Sequence, residues 1–165
     1  MRAIVTSLTL LFLTLMSQLA VAIDIRELRS INAQVNLEFQ RQPTKEKRYN
    51  HSALAKYHLV RQRYPHARTM ITHAQHVTPS GYEIEPLTVL AVEVNNRLWI
   101  LDFELLNIYT AQDRRDIKPL TSIEMRDGQV WIHHVDNDWS IISSQPADSA
   151  TKERLRSTLW ENMPG

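Results

Sequence analysis

Hydrophobic residues are densest between residues 85 and 103, which read EPLTVLAVEVNNRLWILDF. Two apolar runs, residues 87–94 and 98–103, flank the polar pair Asn95 and Asn96. The runs are rich in Val, Leu and Ile, which pack well in strands, and Asn tolerates the positive φ of a tight turn. A strand with one wet face alternates apolar and polar positions, whereas these runs place apolar residues on both faces. The pattern therefore predicts a β-hairpin inside a sheet that is covered on both sides.

Two amphipathic helices are predicted ahead of this hairpin. Apolar residues recur at intervals of three and four across residues 23–39, and a second helical stripe covers residues 49–64. Pro65 follows the second stripe and is expected to end that helix. The intervening residues 40–48 are polar and contain Pro43, so they are predicted to form a loop.

The rest of the chain alternates short apolar runs with turn residues. Four further strands are predicted from this pattern, at residues 69–77, 120–125, 130–135 and 137–144. The pair Asp127-Gly128 is typical of a hairpin turn. A last helix is predicted to begin at Asp148 or Ser149 and to carry an apolar stripe. This order predicts the α+β class, with N-terminal helices packed on an antiparallel sheet and a helix at the C-terminus.

The first 22 residues have the layout of a secretory signal peptide. A basic start at Arg2 precedes a short apolar segment, and an Ala-Val-Ala sequence ending at Ala22 supplies the small residues of a cleavage site. An uncleaved membrane anchor is the alternative, but the apolar segment is shorter than the roughly 20 residues that span a bilayer. The sequence therefore predicts a periplasmic protein with one mature domain, residues 23–165, and no stable membrane insertion after cleavage.

Composition narrows the functional classes. The chain has 19 basic and 18 acidic residues, and one of the basic residues, Arg2, lies in the predicted signal peptide. The mature chain therefore has 18 of each and no net charge. This balance gives no reason to expect a nucleic-acid partner. The chain has no cysteine, which excludes disulfides, thiolate metal sites and a cysteine nucleophile. Adjacent histidines such as His133 and His134 point to opposite faces of a strand, so neither a metal site nor a cofactor is predicted.

Several short motifs occur in the order found in one protein family. They are ALAKY at residues 53–57, VLA at 89–91, LDF at 101–103 and GQVW at 128–131. In this order and spacing, between about residues 35 and 133, the chain resembles the bacterial transglutaminase-like cysteine proteinases, periplasmic enzymes that clip surface adhesins. The resemblance implies a transglutaminase-like, papain-like arrangement of the α+β fold.

The resemblance also implies where the family's catalytic residues would lie, and most of them are absent. The cysteine position falls on Tyr49, the histidine position falls on Leu87, and only the acid is retained, as Asp102. The family's mechanism needs a thiolate, a histidine that takes its proton and an acid that orients the histidine. Arg48 and Asn50 occupy the positions of acidic calcium ligands, so no metal is expected there.

Two functional hypotheses follow. The first is a catalytically inactive, protein-binding or regulatory module, whose partner is an adhesin segment, a related active protease or the receptor that controls one. Its binding candidates are Arg48, Tyr49, His51 and Asp102. The second is a hydrolase with an active site rebuilt around Tyr49, His51 and Asp102, although helical geometry places His51 about 200° around the helix from Tyr49. A structural protein without a cleft is a third possibility.

The individual roles of two candidates also stay open at this point. Tyr49 either fills the inherited cleft with its ring or presents its hydroxyl to a ligand. The first role is favoured because aromatic rings at a helix start usually pack against their neighbours. Asp102 either caps a turn or pairs with a nearby base. Basic residues outnumber acidic ones between residues 41 and 68. This excess indicates a surface for an acidic partner loop, anionic lipid headgroups or a polyanion, or else a solvated helix face.

Overall fold

The computed structural model describes residues 22–41, 44–78, 80 and 84–155. Within these residues the elements, in chain order, are α1 (Ile25–Phe39), α2 (Lys45–Arg63), β1 (Thr69–Val77), β2 (Ile84–Val94), β3 (Arg97–Leu101), β4 (Tyr109–Thr110), β5 (Ile117–Arg126), β6 (Gln129–Val135), β7 (Ile141–Pro146) and α3 (Ser149–Leu155). The predicted signal peptide lies outside the described residues except for Ala22, and so does the part of the predicted last helix beyond residue 155. No helix in the described part of the chain has the length and apolar character needed to cross a membrane.

The strands form one antiparallel sheet in the order β4-β3-β2-β1-β5-β6-β7. The hairpin predicted from the apolar runs is present, because β2 and β3 pair around Asn95 and Asn96, which have φ values of 51° and 59°. Residues 89–92 of β2 are fully buried, as expected for a strand covered on both faces. The hairpin lies to one side of the sheet, however, and β1 is the middle strand.

The second predicted hairpin is also present. β5 and β6 pair around Asp127 and Gly128, whose φ values are 53° and 72°. A left-handed conformation at both central residues is the geometry of a type I′ turn, whose twist matches that of paired strands. The turn chemistry of the sequence therefore fixes two of the strand registers, and the α+β class is confirmed.

Both long helices lie on one face of the sheet. Asp24 caps α1 by accepting a hydrogen bond from the amide of Arg26 at 2.8 Å. Leu28 and Val35 of α1 pack with α2 and the sheet in one hydrophobic core. A second core on the opposite face includes Met70, Val89, Ala91, Ile100 and Trp139. The middle of the sheet is thus buried on both sides, although among the described elements only one side carries long helices.

The structure corrects several predicted bounds. Helix α2 begins at Lys45, inside the predicted loop 40–48, and the amide of Arg48 bonds the carbonyl of Thr44 at 3.0 Å. Lys, Glu and Arg are good helix formers, so a polar run of them continues a helix even without an apolar stripe. Strand β5 begins at Ile117 rather than residue 120. Strand β7 covers Ile141–Pro146 rather than 137–144, because residues 136–140 form a turn.

Candidate binding groove

A groove of about 390 Å³ lies where the first turns of α2 meet β1 and β2. Its lining is more apolar than polar, and the residues that form it are Tyr49, Asn50, His73, Ala74, Gln75, Glu85, Pro86, Leu87, Thr88 and Leu120. Tyr49 and Leu87 occupy the positions that the family resemblance assigns to the cysteine and the histidine. The structure therefore brings these two predicted positions into the lining of a single groove.

Tyr49 is buried, and its ring packs edge-on against Phe103 with 5.9 Å between the ring centroids. Its hydroxyl donates a hydrogen bond to the carboxylate of Glu104. Burial, followed by the hydrogen bond and charge of Glu104, raises the pKa of Tyr49 well above the usual value of a phenol. The phenol consequently stays protonated at any physiological pH, and it lacks the anionic form that a nucleophile needs.

Asp102 is held in a turn that follows β3. Its carboxylate accepts hydrogen bonds from the amide of Leu105 and the hydroxyl of Tyr109, both at 2.8 Å. The residue is 4% exposed, and its two carboxylate oxygens are each occupied by one of these donors. Asp102 thus caps a turn and orients a tyrosine, and neither of its two described carboxylate hydrogen bonds involves an imidazole.

The backbone of the same turn is fastened to both helices by buried polar side chains. The carbonyl of Asp102 accepts from Lys56 Nζ at 2.8 Å and from Asn36 Nδ2 at 2.9 Å. Asn32 Nδ2 donates to the carbonyl of Leu105 at 2.7 Å. Lys56 is fully buried, and burial lowers the pKa of its ammonium group to about 7 against the opposing effect of the Asp102 charge. We call Asn32, Asn36 and Lys56 the turn anchor.

The turn anchor was missed by reasoning from the sequence. Lys56 entered only as part of a family motif, and Asn32 and Asn36 lie on the buried stripe of α1 between Leu28 and Val35. The available signal was the position of two amides four residues apart on an otherwise apolar stripe. Buried polar groups need partners, so such a pair indicates a backbone segment that has to be held.

The polar side of the groove is a short hydrogen-bonded chain. Thr88 donates to Asn50 Oδ1 at 2.6 Å, and its oxygen lies 3.1 Å from His73 Nδ1. Because the single hydroxyl proton of Thr88 is used on Asn50, the proton between Thr88 and His73 belongs to Nδ1. Burial lowers the pKa of His73, which keeps its ring neutral with Nε2 as an acceptor. His73 and Thr88 are cross-strand partners, a pairing that requires the β1–β2 register.

The other predicted binding candidates, Asp102, His51 and Arg48, do not line the groove. The ring of His51 packs edge-on against Phe39 of α1, with 6.4 Å between centroids. Among the described hydrogen bonds none joins His51 to Asp102. Arg48 is half-buried, its Nε has no hydrogen-bond partner, and it does not line the groove. The described hydrogen bonds therefore do not connect Tyr49, His51 and Asp102 with one another.

No group of three His, Asp or Glu side chains that could hold a metal ion occurs in the part of the chain that the structure describes. Asn50, at a position where the resemblance implies an acidic calcium ligand, accepts a hydrogen bond from Thr88. The arrangement offers an apolar wall, one neutral imidazole acceptor and no prepared nucleophile.

Comparisons with known proteins identify no relative: no family model, no curated protein and no solved structure matches this chain.

Proposed function

We propose that this protein is an exported domain of transglutaminase-like ancestry that is catalytically inactive as a peptidase and binds a segment of another protein in the groove beside Tyr49. The observation that carries the proposal is the joint placement of Tyr49 and Leu87 in one groove. A groove lies where the resemblance implies an active site, while Tyr49 and Leu87 supply neither the thiolate nor the histidine base of the family's mechanism. The signal-like first 22 residues support export to the periplasm.

The absence of peptidase chemistry follows from what each side chain at the three family positions can do. Tyr49 is a phenol whose pKa is raised, Leu87 cannot transfer a proton, and Asp102 is fully engaged in its turn. A nucleophile of this family needs an adjacent base, and that base in turn needs an orienting acid. None of the three positions supplies its part of that relay.

The lining of the groove suits a peptide segment with an apolar side chain. Its volume lies in the range of ordinary ligand sites, which combine apolar walls with a few fixed polar groups. Leu120 is 46% exposed at the groove and can be covered by an incoming side chain. Covering an aliphatic side chain contributes about 1.5–3 kcal/mol when burial is complete. The neutral Nε2 of His73 can accept one hydrogen bond from the ligand.

Selection of peptides on the mature chain tests this proposal. A random peptide library displayed on phage would be selected on wild-type protein, and synthetic copies of the enriched peptides would be titrated against wild type and Leu120→Asp. A charge at the groove opposes desolvation, so we expect Leu120→Asp to weaken binding by about tenfold or more, equivalent to about 1.4 kcal/mol.

Ile142→Asp provides the matched control, because Ile142 is 68% exposed on β7 and does not line the groove. We expect this variant to bind the selected peptides as wild type does. Equal affinities for wild type and Leu120→Asp would show that the groove is not the binding site. Failure of any peptide to be enriched on the wild-type chain would remove the proposed binding function itself.

A further inference from the structure

A second polar cluster lies on the sheet face that faces away from the long helices. It consists of one residue from each of three neighbouring strands, namely Glu124 on β5, His133 on β6 and Ser144 on β7. His133 and Ser144 are cross-strand partners, and Glu124 is the partner of Trp131, two residues before His133. Residues two apart in a strand share a face, so the register alone places the three side chains together.

The three side chains form a continuous hydrogen-bonded line. His133 Nε2 lies 2.9 Å from Glu124 Oε2, and His133 Nδ1 lies 2.8 Å from Ser144 Oγ. Glu124 and His133 are 4% and 2% exposed, whereas Ser144 is exposed. A carboxylate and an imidazole are therefore sealed in the interior behind a serine that solvent can reach.

A fourth residue, Arg68, contacts the acidic end of this line. Arg68 Nε donates to Glu124 Oε1 at 3.3 Å, so that oxygen is already an acceptor. An ionised carboxylate only accepts, so the proton between it and the ring sits on His133 Nε2. In the neutral form of the ring, which is the form that can act as a base, Nδ1 is then bare and Ser144 donates its hydroxyl proton to it. Ser144 is thus hydrogen-bonded to a base that is itself oriented by an acid.

We propose that Ser144 is an activated nucleophile that accepts an acyl group from activated esters, with His133 as its general base and Glu124 as a positioning residue. Ser144 Oγ attacks the ester carbonyl carbon while its proton passes to His133 Nδ1. The ester C–O bond then breaks, and the leaving alcohol takes that proton from Nδ1. Water can remove the acyl group by the same route, which regenerates the hydroxyl.

In the familiar serine–histidine–acid triad the serine is bonded to Nε2 of the histidine and the acid to Nδ1. In this protein the two ring nitrogens are exchanged, because Nδ1 faces Ser144 and Nε2 faces Glu124. The exchange leaves the proton balance unchanged, because either nitrogen is a base once the other carries the proton. β7 is the last strand of the described sheet, so its outer edge presents backbone N–H groups that no described strand pairs. Such donors can stabilise the oxyanion that forms during the attack.

The site is separate from the groove and does not depend on the proposed binding function. Ser143 provides an internal control, because it is also exposed on β7 but lies on the other face of the sheet. Its cross-strand partner there is the exposed His134. The experiment treats the mature protein with a fluorophosphonate probe, in which serine displaces fluoride from phosphorus. Mass spectrometry then measures the labelling rate of each serine in one sample.

General-base assistance contributes typically 10²–10⁴-fold to rate, so we expect Ser144 to be labelled at least about 100-fold faster than Ser143. Ser144→Ala should abolish the label, and Ser143→Ala should leave it unchanged. Glu124→Gln should slow labelling of Ser144 but not of Ser143, and Glu124→Asp should recover part of the rate, a rescue that a general loss of structure would not give. Equal labelling rates of the two serines in the wild-type protein would overturn the proposal. So would the absence of any label on Ser144 under conditions in which the probe labels a known serine hydrolase completely.

Discussion

The fully buried Lys56 gives the fold a dependence on pH that a single substitution should remove. Its ammonium group donates to the carbonyl of Asp102, and burial lowers its pKa from 10.5 to about 7 in the folded protein. In the unfolded chain the same group keeps its ordinary pKa. Replacement by methionine keeps a side chain of similar length in the core while removing the titration.

The sign of the effect follows from proton binding. Between pH 7 and pH 9 the unfolded chain carries a proton on Lys56, whereas the folded chain loses it. Because the unfolded state binds more protons, the free energy of unfolding rises with pH across this interval. With a folded pKa of about 7 the rise is about 2 kcal/mol, after allowance for partial deprotonation at pH 7. The penalty of the buried charge is fully present below pH 7.

Urea unfolding measured at pH 7, 8 and 9 provides the assay. At roughly 1–3 kcal/mol per molar urea, the wild-type midpoint should rise by about 1 M over this interval, while that of Lys56→Met should stay flat. Lys152→Met is the control, because Lys152 is exposed on α3 and should leave the wild-type slope intact. The buried tyrosines have raised pKa values and do not titrate in this interval. A Lys56→Met variant that retains the wild-type slope would refute this reasoning.

Two further substitutions test the local accounts of the turns. Tyr109→Phe removes the hydroxyl that bonds the buried carboxylate of Asp102, and it should lower the free energy of unfolding by about 1–3 kcal/mol in urea titrations; an unchanged midpoint would mean that the bond contributes nothing. Asn96→Gly places glycine at a φ of 59° in the type I′ turn, and thermal unfolding should show stabilisation by up to about 1 kcal/mol. Asn96→Val should be destabilising in the same assay, and a stable valine variant would contradict the turn assignment.

Local signals in the sequence were enough to predict the two hairpin turns and the types of the longer elements, although not the short strand β4. Asn95-Asn96 and Asp127-Gly128 adopt the positive φ values that their residue types favour, and β1 covers Thr69–Val77 as predicted. These features depend on residues close together in the chain. The start of α2 was missed because a polar run of helix formers carries no apolar periodicity.

The polar constellations could not be predicted because they depend on pairing between distant segments. Glu124, His133 and Ser144 meet only once β5, β6 and β7 have their registers, and a shift of one residue would place His133 on the other face. The turn anchor likewise joins side chains of α1 and α2 to the segment after β3. Within the candidate site, the family resemblance identified the positions of Tyr49 and Leu87. The contact between His73 and Thr88 could not be predicted, because it depends on the pairing of β1 with β2.

The central claim is that the groove beside Tyr49 holds a peptide without cutting it. The most direct test incubates a peptide selected on the mature wild-type chain with an excess of that protein and analyses it by mass spectrometry. The account predicts that the peptide is recovered intact, while its binding is lost in Leu120→Asp and kept in Ile142→Asp. Hydrolysis of a bond in the bound peptide, lost together with binding in Leu120→Asp, would contradict it.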